Sequence, residues 1–113
     1  MSSLIDPRPQ DSGRQHRLRI VGELDVATGP AEFVRIIATR PEQGDTVELD
    51  LTDVTFIDSS GVAMLMKAKS YLEGGGGNLV LTNLSPSAYR LLDMLGLTDT
   101  FAVANDSSTT ATH

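Results

Sequence analysis

The stretch TFIDSSGVAMLM, residues 55–66, decides the fold assignment of this chain. Its apolar, β-branched start predicts the end of a buried strand, and its apolar second half predicts a helix. Between the two lie an acid, two hydroxyls and a glycine: Asp58, Ser59, Ser60 and Gly61. Any of the three polar side chains can cap the helix by accepting a hydrogen bond from one of its free backbone N–H groups.

The alternation of strand and helix signals continues along the chain in both directions. Strand patterns occur in HRLRIV (16–21), TVELDL (46–51), NLVLTNL (78–84) and TFAVA (100–104). Helical patterns begin near Thr28, Val62 and Ser85, and both Thr28 and Ser85 are predicted N-caps because a proline follows each within two residues. This order predicts an α/β domain with a mixed or parallel sheet of four to five strands, on which three to four amphipathic helices pack.

The length of 113 residues suits one domain, which we place at residues 14–104. A polar segment, 1–13, precedes it with a possible short edge strand at Leu4 and Ile5, and a polar tail, 105–113, follows it. The glycines at 74–77 are predicted to end the second helix in a turn. Helical spacing predicts buried stripes at Phe33, Val34, Ile37 and Ala38 in the first helix, and at Val62, Leu65, Met66 and Leu72 in the second.

Composition argues against several classes of protein. The net charge of −6 does not suit nucleic-acid binding, which depends on basic side chains that neutralise phosphates. The chain has no cysteine for disulfides or thiolate metal sites. It has no apolar run near the roughly 20 residues that span a bilayer, and its start does not resemble a signal peptide. We therefore expect a soluble cytoplasmic protein that does not bind a membrane. Because the chain has no tryptophan and few other aromatic residues, we also expect an aliphatic core.

The sequence also argues against an enzyme. The residues around Ser60 lack both glycines of a G-x-S-x-G nucleophile elbow, and neither His16 nor the terminal His113 is a credible base. The glycine run lacks the lysine of a phosphate-binding loop. Glu23 and Asp25 are best explained as solvated carboxylates in a turn at a strand end. We expect no catalytic residue, metal or cofactor.

Two explanations of the Asp-Ser-Ser-Gly group remain open at this point. Capping accounts for one of its polar side chains. It does not account for two consecutive hydroxyls, nor for Gly61, which is unfavourable within the first turn of a helix. Gly61 is reasonable where another backbone or a ligand must approach closely. Exposed hydroxyls beside such a glycine are also suited to phosphorylation by a protein kinase.

Three segments in this order resemble the STAS domain family. They are GELD at 22–25, DLTDVTFIDSSGVAML at 50–65 and LSPSAYRLLDMLGL at 84–97, and the resemblance spans about residues 14–104. Within the family the chain is most similar to the bacterial anti-sigma factor antagonists. The resemblance implies that Ser59, the first serine after the acid, is phosphorylated by an anti-sigma factor, a serine kinase of the histidine-kinase-like ATPase type. Ser60 is the second choice.

The resemblance also implies a partner-switching role in transcription regulation and stress response. The unphosphorylated antagonist would bind the kinase and release a sigma factor, and a PP2C-type phosphatase would convert the phosphorylated form back to the unphosphorylated one. Asp25, Asp58, Ser59, Ser60, Gly61 and Val62 would form the partner-binding site. A phosphate on Ser59 would be received by the free amides of the helix and would repel the partner beside Asp58. The alternative is a non-switched STAS scaffold or ligand-sensing subunit, as in a stressosome or a lipid-transport complex.

Overall fold

The computed structural model describes residues 13–104, in which strands and helices alternate. The elements are β1 Gln15–Leu24, α1 Gly29–Ala38, β2 Thr46–Ile57, α2 Ser59–Gly74, β3 Asn78–Thr82, α3 Pro86–Met94 and β4 Ala102–Ala104. This order confirms the predicted α/β domain. The edge strand predicted at Leu4 and Ile5 and the predicted tail at 105–113 lie outside the described residues.

The described strands form one parallel sheet in the order β1-β2-β3-β4. Parallel neighbours need a crossover connection, and each crossover here holds one of the three helices. The strand count lies within the predicted four to five. A mixed sheet would need a strand of opposite direction, and the four described strands are all parallel.

One face of the sheet carries the hydrophobic core. Val47, Leu49 and Leu51 alternate along β2 and are fully buried, as their spacing predicted. They join buried residues from β1, β3 and all three helices in a single cluster. The core is aliphatic apart from Phe101. Burying each large aliphatic side chain contributes about 1.5–3 kcal/mol, so this face supplies most of the driving force for folding.

The opposite face of the sheet is polar. Arg17 on β1 donates to the Glu48 carboxylate on β2 at 2.9 Å, and the Arg19 guanidinium lies 3.4 Å from the Asp53 carboxylate. These arginines are largely exposed, and such pairs stabilise a protein by about 0–1 kcal/mol each. Their main effect is to keep this face hydrophilic, so that the helices pack on the other one.

The helical stripes were predicted with the right period but partly the wrong phase. In α1 the residue in the core is Ile36, whereas Val34 is 62% exposed. In α2, Met64 and Ala68 are buried, whereas Met66 is 38% exposed. Apolar residues flank the true stripe on both helices, so spacing alone could not select the buried face.

The ends of the helices were predicted better than their buried faces, because capping residues and glycines act locally. Ser85 caps α3 as predicted, because its hydroxyl accepts a hydrogen bond from the Ala88 N–H at 3.1 Å. The glycine run does end α2 in a turn. Gly76 has a φ of +86°, and a side chain at Gly77 would collide with the backbone carbonyl of Asp45. The close packing of this turn against the loop before β2 requires glycine there.

Asp45 is a buried acid that the sequence analysis did not identify as important. Its carboxylate accepts hydrogen bonds from the Arg14 N–H at 2.9 Å, the His16 Nε2 at 2.9 Å and the Glu42 N–H at 3.0 Å. It therefore ties the start of β1 to the loop before β2. The hydrogen bond from His16 and those from the two amides outweigh burial and hold the pKa of Asp45 well below its usual range.

We predict that Asp45→Asn lowers the urea midpoint of unfolding at pH 7. Because the pKa of Asp45 is lower in the folded than in the unfolded chain, its charge stabilises the fold above the unfolded pKa of about 4. That contribution is lost as the pH falls below this value, so the gap between wild type and Asp45→Asn should narrow from pH 7 to pH 3. Equal midpoints at pH 7 would contradict this role.

Candidate functional site

The site lies where β1 and β2 end side by side. Leu24 and Ile57 are partners in the parallel register, and the Asp58 N–H donates to the Leu24 carbonyl at 3.4 Å. Asp25 and Asp58 each follow one of these partners, so they leave the sheet at the same edge. The carboxyl ends of parallel strands are where α/β proteins usually bind their ligands.

Asp58 caps helix α2. Its Oδ1 accepts hydrogen bonds from the Ser60 N–H at 2.9 Å and the Gly61 N–H at 3.1 Å. The Asp58 carbonyl accepts from the Val62 N–H at 3.1 Å. The acid thus performs the capping that sequence alone left open among three polar residues, and neither serine is needed for it.

The two serines differ in their surroundings. Ser59 is the first residue of α2 and is exposed. Within residues 13–104 its hydroxyl makes no hydrogen bond of its own. Ser60 is half-buried and lines a groove between α1 and α2. Ser59 is therefore the more accessible of the two hydroxyls.

Gly61 and Val62 lie in the interior, not on the surface. A Cβ on Gly61 would overlap the carbonyl oxygen of Leu24 and press on the Ile57 side chain. Val62 is 4% exposed and belongs to the hydrophobic core. The close approach that Gly61 permits is thus to the chain's own backbone. The structure separates these two residues from the other residues predicted to contact a partner, which are the exposed Ser59 and the half-buried Asp25, Asp58 and Ser60.

Asp25 organises the turn that leads from β1 to α1. Its Oδ1 accepts from the Ala27 N–H at 2.9 Å and the Thr28 N–H at 3.1 Å. Thr28 occupies the predicted N-cap position, but its hydroxyl donates to the Glu23 carbonyl at 2.8 Å and makes no cap hydrogen bond to α1. The explanation of Asp25 as part of a strand-end turn is confirmed, and Asp25 lines the same groove as Ser60.

A groove of about 450 Å³ runs between α1 and α2 from Ser60. Asp25 and Ser60 line it together with Lys67. Its apolar walls include Val26, Pro30, Phe33, Val34, Ala63 and Met64. The Lys67 Nζ lies 5.5 Å from the centroid of the Phe33 ring, within the range of a cation–π contact. Sequence reasoning missed this groove because it expected Val34 to be buried.

Two kinds of feature are absent from the described part of the chain. Residues 13–104 contain no group of three or more histidine, cysteine or acidic side chains arranged to hold a metal ion. No helix in the same range is long and apolar enough to cross a membrane.

Comparison with known families assigns the chain. The family described as "Mlab, STAS domain" matches residues 8–104, which include the whole described sheet and all of its helices. The chain belongs to the STAS domain family. The resemblance identified from the three sequence segments is thereby confirmed.

Among curated proteins, the chain is similar to the anti-sigma-B factor antagonist of Bacillus subtilis (strain 168). The two are 32% identical over 107 residues, which cover 95% of each chain. The relative is thus matched over nearly its full length, including the region of the Asp-Ser-Ser-Gly group.

Two solved structures share the fold. The sulfate transporter family protein from Wolinella succinogenes has a TM-score of 0.67 at 19% identity and covers 80% of this chain and 75% of its own. The anti-sigma factor antagonist SpoIIAA in its unphosphorylated form has a TM-score of 0.64 at 23% identity, covering 83% and 84%. Because these two proteins differ in description, the STAS fold alone does not select a function.

We predict that Gly61→Ala destabilises the domain by about 1–3 kcal/mol, because the added methyl group must displace the backbone of β1. Gly74→Ala is the matched control in the same helix, since a Cβ there meets no atom within 4 Å. It should be neutral or stabilising by up to about 1 kcal/mol. Denaturant unfolding of both variants tests this, and equal stabilities would show that the α2–β1 contact is not tight.

We predict that Asp58→Ala destabilises the domain by about 0.5–2 kcal/mol through loss of the α2 cap. Asp58→Asn keeps the acceptor oxygen and removes the charge, so its unfolding midpoint should stay near that of wild type. If the two variants lose equal stability, the charge of Asp58 and not its hydrogen bonds supports the helix.

Proposed function

We propose that this STAS domain is an anti-sigma factor antagonist. In its unphosphorylated form it binds an anti-sigma factor that is a serine kinase, and so releases a sigma factor. Phosphorylation at Ser59 ends this binding, and a PP2C-type phosphatase reverses it. The domain acts in the cytoplasm as a regulator and performs no catalysis itself.

The observation that carries the proposal is the exposed Ser59 hydroxyl at the start of α2. Asp58 already caps the helix, so this hydroxyl has no structural task within residues 13–104. The turn held by Asp25 and the helix capped by Asp58 converge at the same edge. The near full-length similarity to an anti-sigma-B factor antagonist supports the same role.

The arrangement favours a switch that acts at the interface and leaves the fold intact. We expected free helix amides to receive the phosphate, but Asp58 occupies the Ser60 and Gly61 amides. A phosphate on Ser59 therefore adds about −1.5 to −2 charges beside a carboxylate instead of replacing it as the cap. Since Ser59 is exposed, the modified side chain can extend into solvent without disturbing the core.

In a complex with the anti-sigma factor, the same phosphate would be desolvated. Ser59, Ser60, Asp25 and Asp58 form the surface that we assign to partner contact, with Gly61 and Val62 as its internal support. Desolvating a dianion next to Asp58 would cost a few kcal/mol, and 2.7 kcal/mol corresponds to about a hundredfold loss of affinity. The proposed switch is thus local and electrostatic.

The test uses the purified chain and each ATPase-type anti-sigma factor of the organism that encodes it. We predict that one of them transfers phosphate from ATP to Ser59, located by mass spectrometry, and that Ser59→Ala abolishes the transfer while Ser60→Ala retains it. In calorimetry, Ser59→Asp should bind that kinase at least tenfold more weakly than Ser59→Ala. High salt should narrow this difference, because it screens charge.

Two outcomes would contradict parts of the proposal. Equal binding by Ser59→Asp and Ser59→Ala would refute the electrostatic switch. If the chain binds an anti-sigma factor but none of the kinases tried phosphorylates either serine, the result would instead favour a non-switched scaffold. Asp25→Asn is a useful companion variant, because it keeps the oxygen that holds the turn and removes only the charge.

A further inference from the structure

The groove between α1 and α2 has exposed apolar walls that the fold itself does not use. Val26 and Val34 are apolar side chains that are 74% and 62% exposed. Both line the groove beside the half-buried Phe33. Covering these apolar side chains on binding would be favourable, so the wall is suited to contact with a partner.

The groove is also lined by a lysine, Lys67, that is not paired with an acidic side chain in the described part of the chain. Within residues 13–104 Lys67 forms no ion pair, whereas Lys69, two residues along the same helix, is paired with Glu73 at 2.9 Å. Phe33 positions the Lys67 ammonium, and the Tyr71 ring packs edge-on against Phe33 with centroids 5.9 Å apart. In a chain with a net charge of −6, a held and unpaired lysine beside an apolar wall is suited to an acidic partner group.

The two ends of the groove carry opposite charges. Asp25 and Ser60 lie at the end that adjoins Ser59, and Lys67 lies seven residues further along α2. Seven residues of α-helix span about 10 Å, so the charged ends are roughly that far apart. A segment that fills the groove must therefore have apolar side chains in the middle and a carboxylate at the end remote from Ser59.

We propose that this groove binds a segment of the anti-sigma factor that carries apolar side chains followed by a carboxylate, which pairs with Lys67. The proposal rests on the function proposed above, because it extends the Ser59 contact surface along α2. The bound segment lies against Val26 and Val34, and the Lys67 pair sets its direction. A symmetric dimer through this groove fits less well, because two concave grooves cannot fill each other.

The test measures affinity and phosphorylation with the anti-sigma factor that binds the wild-type chain. Val34→Asp should weaken binding at least tenfold, and Lys67→Glu should weaken it about as much. The matched controls are Val21→Asp, a valine that is 64% exposed on β1 outside the groove, and Lys69→Glu, the same charge reversal on α2. Both controls should bind within threefold of wild type, and melting curves should show that all four variants fold.

Two further measurements distinguish a lost groove contact from a loss of domain stability: the kinetics of Ser59 phosphorylation, and a compensating charge reversal in the anti-sigma factor. The groove variants should raise KM for Ser59 phosphorylation and leave kcat within about twofold, because the reacting hydroxyl is unchanged. A lysine in place of the contacting acid of the anti-sigma factor should restore binding to Lys67→Glu.

Each alternative outcome overturns a definite statement. If Val34→Asp and Lys67→Glu bind like wild type while Ser59 is still phosphorylated, the groove proposal is wrong and the proposed function stands. If wild type binds no anti-sigma factor, both are wrong. Wild-type dimers in sedimentation velocity that Val34→Asp abolishes would assign the groove to a second copy. An amphipathic anion seen in native mass spectra of wild type and lost in Lys67→Glu would assign it to a small ligand.

Discussion

The contact between Gly61 and the Leu24 carbonyl is the constraint on which the site depends. At this point the first turn of α2 lies directly against the backbone at the end of β1, and any side chain would separate them. Leu24 also pairs with Ile57 in the sheet, and this pairing brings Asp25 and Asp58, the next residues of the two strands, to one edge. Glycine is unfavourable within a helix, but here its lack of a side chain joins the helix to the sheet.

Around that contact, each polar residue has a distinct task. The Asp58 carboxylate caps α2, and the Asp25 carboxylate holds the turn into α1. Both half-buried acids are therefore structural as well as charged, and replacing either with alanine changes the local fold along with the charge. Ser59 is left with an exposed hydroxyl that nothing nearby within residues 13–104 requires. A modification at this position can alter recognition without removing a hydrogen bond that the fold needs.

The opposite edge of the domain is organised differently. There the buried Asp45 gathers the start of β1, His16 and the loop before β2, while the glycine turn after α2 packs against the same loop. Internal hydrogen bonds hold the segments of this edge together, whereas the Ser59 edge presents a hydroxyl, two carboxylates and an apolar groove. The asymmetry explains how one small sheet can be stable at one end and available for recognition at the other.

The sequence by itself determined the order of strands and helices, the α3 cap at Ser85, the turn at the glycine run and the position of the Asp-Ser-Ser-Gly group between β2 and α2. These are local properties, set by period, capping and backbone freedom within a few residues. Only the tertiary structure decided which face each helix buries, so that Ile36 enters the core and Val34 borders the groove. It alone brought Arg14 and His16 to Asp45 and Leu24 to Gly61, because these partners lie far apart in the chain and local spacing carries no information about which distant residue will be adjacent.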